Sequence, residues 1–221
     1  MDSTALEKLK FPIGKFKWIE QVSAAEIESF TADLSNFPTQ LENAVKDFGA
    51  EDFKKEYRPG GWQIGQLIHH LADSHIHCYV RFKHALTLDT PTILDYDQDD
   101  WAVMPDAIKT DVTSSLMILK GVHERWTHLI ANLSTQQLQR KYYHPTRDKY
   151  YPLCTVLALY AWHGKHHLAH IAGHWVLEKD VIGNAVEASE HKRDLSLRLG
   201  LSLLLCVQKD PLPDALNLER V

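Results

Sequence analysis

Apolar residues recur at near-helical intervals in four long stretches of the chain, and each stretch predicts an amphipathic α-helix. The first begins at a capping box, Ser23 to Glu26, and runs to Gly49, with Pro38 predicted to kink or break it. The others cover about 63–86, 112–132 and 153–177. No stretch alternates like the strands of a large sheet. The pattern therefore predicts an all-α fold, a four-helix bundle.

The segments outside these helices divide the chain further. Residues 1–22 are predicted to form an irregular N-terminal arm, ahead of a bundle at 23–177. The acidic, proline-bearing stretch 87–107 predicts a long loop, and loops of that length are often functional. Residues 142–152 predict a turn or short hairpin. Residues 178–221 form a C-terminal extension of unknown role, for which a further helix, an oligomer contact and a poorly ordered tail all stay open.

The composition of the chain excludes several classes of protein but does not indicate a specific activity. The 221 residues are 44% hydrophobic and 24% charged, as in ordinary globular proteins. A net charge of −5 without a basic run argues against nucleic acid or an anionic membrane as the main partner. No apolar run approaches the roughly 18 residues of a membrane span, and the N-terminus lacks a secretory pattern. Three scattered cysteines, Cys78, Cys154 and Cys206, suit a reducing compartment, so a cytoplasmic location is expected.

The candidate chemistry lies in the fourth predicted helix, in the stretch YAWHGKHHLAHIAGHW. At about 100° per residue, four of its five histidines fall within a stripe roughly 60° wide that borders the core-facing side. They are His163, His167, His170 and His174, whereas His166 falls to one side. The i, i+4 spacing of His163 and His167 brings two imidazoles close enough to bind one metal ion.

The second predicted helix, in the stretch QLIHHLADSHIHCYVRF, carries a matching set of imidazoles. His70 and His77 border its core face, whereas His69 points away and is expected to be solvated. His70 together with His163 and His167 therefore predicts a three-histidine metal site. Three neutral ligands leave a fourth position for water, as in catalytic zinc sites, although imidazole also suits nickel, iron and copper.

Two other classes of metal protein are excluded by the sequence, and two acidic features near the predicted ligands have open roles. Gly164 stands where the zincin motif HExxH has its glutamate, which argues against a metalloprotease. A di-iron bundle needs a Glu-x-x-His motif on each of two helices, and the sequence has none, which argues against that class. Asp73, one turn after His70, is the candidate catalytic residue. It is either a proton carrier or partner of that ligand, or a solvent-facing carboxylate. The acidic stretch 95–100 is either a solvated face or a gate over the pocket.

Four motifs in this chain together resemble the DinB superfamily, and within it metal-dependent hydrolases of the YfiT type, also described as bacillithiol S-transferase-like. They are YRPGGWQIGQLIHHLADSHIHCYVRFK, HERW, YYHP and LYAWHGKHHLAHI, and the resemblance covers about residues 10–175. It implies an up-down-down-up bundle, a homodimer, and one zinc or nickel ion per subunit. The family's ligand positions fall on His70, His163 and His167. The chain departs from the family after about Leu177, where its members usually end.

Three classes of function follow from a site of this kind. The first is a hydrolase in which a divalent metal, zinc before nickel, activates water against a small electrophilic substrate. The second is a thiol S-transferase, which would conjugate a low-molecular-weight thiol of the bacillithiol kind to an electrophile. The third is a stress-related protein that binds a metal or ligand without turnover. The sequence alone does not choose among them.

Overall fold

The computed structural model describes the backbone of residues 3–182 and the side chains of residues 4–173. Four long helices dominate it: α2 (Ala24–Val45), α4 (Ile64–Thr87), α6 (Thr113–Ala131) and α8 (Leu153–Ile182). Short helices are α1 (Ser3–Lys10), α3 (Ala50–Phe53), α5 (Gln98–Ala102) and α7 (Thr135–Leu138). The predicted all-α bundle is confirmed. Beyond residue 182, the predicted C-terminal extension and Cys206 lie outside the described residues.

The direction of the long helices follows from their contacts. On α4 and α8, the ring of His70 lies 5.5 Å from that of His167. Further along α4, Ser74 meets Tyr160 at 3.1 Å and His75 meets His163 at 3.1 Å. Residue numbers therefore rise along α4 while those of its partners on α8 fall, so the two helices run antiparallel.

The other helix pairs complete the topology. Along α4 and α6, hydrogen bonds from His69 to Ser115 and from His75 to His123 advance together, so these helices are parallel. The α8 contacts advance from Thr155 with Ile19, just before α2, to Lys165 with Asp33, so α2 and α8 are parallel as well. Two helices therefore run one way and two the other, in the order up-down-down-up.

Two apolar clusters fill the bundle, and buried imidazoles occupy the level between them. One cluster contains Phe82 and Trp126, both fully buried. The other contains Leu41, Leu71 and Leu168. The buried rings between them come from α4, α6 and α8, and they are His70, His75, His123, His163 and His167. Buried polar groups need hydrogen-bond or metal partners, so this level of the bundle is where a site is expected.

The capping box at the start of α2 is confirmed, since Ser23 and Glu26 bond reciprocally. The predicted break at Pro38 is wrong, because α2 continues through it to Val45. Proline has no N–H to bond the carbonyl four residues back. The Leu34 carbonyl instead accepts a hydrogen bond from Nδ1 of His123 at 2.6 Å, which compensates for the missing donor.

Three connecting segments also bear on the sequence predictions. The hairpin predicted at 142–152 is confirmed as β1 (Lys141–His144) paired antiparallel with β2 (Lys149–Pro152). The loop 87–107 contains the short helix α5. The arm was expected to be irregular, but residues 3–10 form α1, which packs against α8. Tertiary contact of this kind stabilises a helix too short to persist alone. Among the described residues, no helix is long and apolar enough to cross a membrane.

Candidate metal centre

The three predicted ligand residues come together inside the bundle. α4 positions His70, and one turn of α8 positions His163 and His167; all three are buried. A ligand atom from each ring lies within 4.8 Å of the other two. Nε2 of His163 is 3.1 Å from Nε2 of His167. Two nitrogens held at about 2.0–2.1 Å by one tetrahedral zinc lie roughly 3.3 Å apart, so this donor set fits a divalent ion.

The orientation of His70 supports the same convergence. Its ring stands nearly perpendicular to those of His163 and His167, with centroids 5.5 Å from each. Trp62 also packs on the His70 ring, with the two centroids 5.0 Å apart. The three rings therefore stand roughly perpendicular to one another, with a ligand atom of each within 4.8 Å of the others.

A cavity of about 340 Å³ opens onto the three imidazoles. Three segments outside the helices of the predicted ligands contribute to its wall: the N-terminal arm, the turn at 57–62 and the start of α5, which lies in the acidic stretch 95–100. Their lining residues include Lys10, Phe11, Tyr57, Arg58, Gln98 and Asp99. The acidic stretch 95–100 thus reaches the cavity through Gln98, while Asp99 is an exposed side chain at its edge. Tertiary packing brings these segments together, and no local sequence motif predicts that they form one cavity wall.

Asp73 lies elsewhere on α4. It is half-buried and does not line the cavity that the three histidines face. Burial raises the pKa of Asp73 to about 6, and the nearby Asp106 carboxylate adds to the effect. Its catalytic role stays a prediction, and the cavity geometry gives it no support.

Two other histidines of α4 occupy different surroundings. The expectation that His69 is solvated is wrong: it is buried, with Nδ1 2.8 Å from the Ser115 hydroxyl and Nε2 3.1 Å from the Lys109 carbonyl. The start of α6 and the segment before it cover this face of α4. His77 stacks on Tyr96 at 4.4 Å, away from the metal centre.

Further histidines surround the predicted ligands. Nδ1 of His163 is 3.1 Å from Nε2 of His75, and Nδ1 of His75 is 2.7 Å from Nε2 of His123. On the opposite side, Nδ1 of His167 is 3.3 Å from Nδ1 of His170, whose Nε2 is 3.1 Å from the Lys10 carbonyl. The stripe predicted on α8 is therefore buried as far as His170, and the side chain of His174 lies outside the described residues.

Burial favours the neutral form of three surrounding rings, His75, His123 and His170, and of the predicted ligand His167. Burial lowers the pKa of His75 and of His167 well below the ordinary value, and the neighbouring imidazoles lower it further. Burial also lowers the pKa of His123 to about 4 and that of His170 to about 4. At neutral pH each of these four rings carries one N–H and one lone pair, which leaves the lone pair available to a metal or a hydrogen-bond donor.

A second cavity of about 280 Å³ lies beside the first, and Gln98 lines both. Its wall includes the buried Arg81, which donates to the Leu94 carbonyl at 3.2 Å and to Asp95 at 3.3 Å. His144 also lines it, and burial lowers the pKa of this imidazole to about 4.

A four-helix bundle in which imidazoles from two helices converge at one cavity has the arrangement of a metal-binding bundle protein, and this donor set suggests a metal ion. Residues 34–171 match the DinB superfamily, and the chain belongs to that family.

The relatives agree with this assignment. The chain is 40% identical over 163 residues to "Putative metal-dependent hydrolase YfiT" of Bacillus subtilis, covering 74% of this chain and 92% of that one. It is 37% identical over 166 residues to a Bacillus anthracis protein named "Putative metal-dependent hydrolase", covering 75% and 95% of the two chains. The solved structure of YfiT from Bacillus subtilis, described as "a probable metal-dependent hydrolase with an unusual four-helix bundle topology", superposes with a TM-score of 0.73 at 36% identity. That match covers 88% of this chain and 99% of that one.

Proposed function

We propose that this protein is a metal-dependent hydrolase whose divalent ion is bound by His70, His163 and His167. The observation that carries the proposal is the convergence of three buried imidazoles, within 4.8 Å of one another, at the wall of a cavity of about 340 Å³. The names of the relatives support it. Zinc is the proposed ion, with nickel as the alternative, and a homodimer is the assembly expected from the family resemblance.

A divalent ion held by His70, His163 and His167 would supply Lewis acidity, the chemistry that makes water a competent nucleophile near neutral pH. The protein's own residues shape the space in which a small substrate would bind. Arg58 donates from Nε to the Tyr57 hydroxyl at 3.0 Å, which leaves the hydroxyl proton available to donate to another group. Trp62 and Phe11 contribute apolar side chains to the cavity wall.

Proton transfer has one carboxylate available at the cavity. Among the described residues that line it, Asp99 alone carries a carboxyl group, and its side chain is exposed at the edge. We propose Asp99, ahead of Asp73, as the group that exchanges protons between the cavity and solvent.

A second candidate function is transfer of a low-molecular-weight thiol to an electrophile. The charge at the cavity favours it, because Lys10 and Arg58 line the wall and would attract an anionic thiol. In that reaction the thiolate sulfur attacks the electrophilic carbon and the leaving group departs with its electron pair. Binding of a metal and ligand without turnover is the third outcome.

The test begins with metal analysis of protein purified without a histidine tag. Single variants His70→Ala, His163→Ala and His167→Ala are each expected to lose the bound ion. His144→Ala removes an equally buried imidazole outside the site and is the matched control. Unchanged metal content in all three ligand variants would end the three-histidine proposal.

Activity is then measured with zinc-loaded protein on a panel of ester and amide substrates, and on electrophiles such as monochlorobimane with and without small thiols. Product formation without thiol supports hydrolysis. Conjugation that requires thiol supports transfer instead. Saturable, metal-dependent binding with neither product supports the non-enzymatic function.

A further inference from the structure

We infer that His75, His123 and His170 are positioning residues, which fix the Nε2 lone pairs of His163 and His167 toward the metal through hydrogen-bond relays anchored on backbone carbonyls. The inference rests on the proposed metal site and assigns a purpose to histidines that bind no ion. The long relay comprises His163, His75 and His123, ending at the Leu34 carbonyl. The short relay comprises His167 and His170, ending at the Lys10 carbonyl.

The long relay has one consistent arrangement of protons when its rings are neutral. A carbonyl oxygen only accepts, so His123 must donate from Nδ1 to Leu34 at 2.6 Å. Nε2 of His123 then holds a lone pair and accepts from Nδ1 of His75 at 2.7 Å. Nε2 of His75 in turn accepts from Nδ1 of His163 at 3.1 Å. His163 is left with its lone pair on Nε2, the atom that faces His167.

The short relay fixes the second ligand in the same way. The Lys10 carbonyl accepts from Nε2 of His170 at 3.1 Å, which leaves the lone pair of His170 on Nδ1. That lone pair accepts from Nδ1 of His167 at 3.3 Å. Nε2 of His167 is therefore unprotonated, and it lies 3.1 Å from Nε2 of His163. Both relays deliver lone pairs to one point between the two rings.

This arrangement decides between one ion and two. His166, His167 and His170 also form a group whose ligand atoms lie within 4.8 Å of one another. An ion there would need Nδ1 of His167, the nitrogen that carries the relay proton. A neutral imidazole has one lone pair, so His167 cannot serve both groups. We therefore expect one ion per chain, with His170 acting on His167 and His166 outside the relay.

Pro38 supports the long relay from the protein backbone. In an uninterrupted helix the N–H of residue 38 would occupy the Leu34 carbonyl. Proline supplies no N–H, so this carbonyl is available to His123 at the level of the buried imidazoles.

The first test measures zinc affinity by chelator competition. His75→Leu and His170→Leu are expected to weaken binding by about 10–100-fold, the usual cost of losing a partner that orients a metal ligand. His75→Gln, whose amide oxygen can still accept from His163, is expected to recover part of the loss. His166→Leu is the matched control from the same cluster, and it should keep wild-type affinity and a stoichiometry of one. Two ions per wild-type chain, one of them lost in His166→Leu, would overturn the inference.

The second test reads the protons directly, by two-bond ¹H–¹⁵N correlation of histidine side chains in wild-type protein with and without zinc. His75, His123, His163 and His167 are expected to carry hydrogen on Nδ1, and His170 on Nε2. Protonation of His75 on Nε2 would contradict the long relay. If the wild type binds zinc but both relay variants bind as tightly, the inference fails while the proposed function stands. If the wild type binds no metal, the proposed function fails, and the metal-free spectrum still decides the protonation pattern.

Discussion

At the scale of single residues, Gly164 shows how closely the bundle packs beside the metal centre. A Cβ at this position would lie 2.8 Å from the Phe37 ring, well inside normal contact. The ring cannot easily move aside, because it stacks on His75 at 5.4 Å and packs on His123 at 5.3 Å. The residue that separates this helix from the zincin motif is thus required for packing of α8 against α2.

Gly164→Ala is therefore expected to lower the free energy of unfolding by about 1–3 kcal/mol, the usual cost of overpacking. Gly121→Ala is the matched control: it lies within α6, and a Cβ there meets nothing within 4 Å. That variant should gain up to about 1 kcal/mol from helix propensity. Urea denaturation of the metal-free proteins measures both. Equal stability changes in the two variants would contradict the packing account.

His144 gives a pH-dependent prediction away from the metal centre. Burial lowers its pKa from about 6.5 to about 4; Arg81 and Arg147 act in the same direction, while Asp95 opposes. The unfolded chain therefore binds a proton first as pH falls. The contribution of His144 to the free energy of unfolding is fully present above about pH 6.5 and is lost as the pH falls toward 4. His144→Leu should flatten the slope of unfolding free energy against pH in that window by up to about 1.4 kcal/mol per pH unit. An unchanged slope would show that this ring titrates normally.

The predicted ligands and their partners differ in what a sequence can reveal about them. His70, His163 and His167 share the edge of a core face, and helical periodicity exposes that placement directly. The roles of His75 and His123 depend on hydrogen bonds between different helices, which no spacing within one helix encodes. The burial of His69 was missed for the same reason, since it depends on the cover that α6 provides.

At the scale of elements, hydrophobic periodicity was sufficient for the four long helices, and turn residues were sufficient for the hairpin. It failed where tertiary contacts overrule local preference. α1 persists against α8, and α2 passes through Pro38 because its neighbours hold it. For the acidic stretch 95–100 the sequence left a gate and a solvated face open, since the choice requires knowing where the loop around α5 folds back.

The N-terminal arm is expected to matter through its backbone. Deleting residues 1–12 removes the Lys10 carbonyl that holds His170, and should weaken zinc binding by about 10-fold. The bundle should remain folded, because the described buried core begins at Phe16. Lys10→Ala, which keeps the carbonyl, is the control and should bind normally. Chelator competition and circular dichroism together separate loss of the relay from loss of the fold.

At the scale of the whole molecule, the proposed metal centre would join α4 to α8, so metal binding is expected to contribute to global stability. Zinc at about 100 times its dissociation constant stabilises the folded state by about 2.7 kcal/mol. For a chain of this size, that raises Tm by roughly 5–10 °C. Scanning calorimetry with zinc, and again after chelator, checks the shift and its reversal. His163→Ala should show no shift, and a shift of wild-type size in this variant would place the ion elsewhere.

Pro38 has a practical consequence for the engineering of a more thermostable variant of this protein. By general propensity, alanine is preferred to proline inside a helix by about 3 kcal/mol, so Pro38→Ala would be an obvious first choice for heat resistance. The new amide would compete with His123 for the Leu34 oxygen. We expect Pro38→Ala to raise the melting temperature of the metal-free protein and to weaken its affinity for zinc. Screening variants by melting temperature alone would therefore select proteins that bind the metal less well.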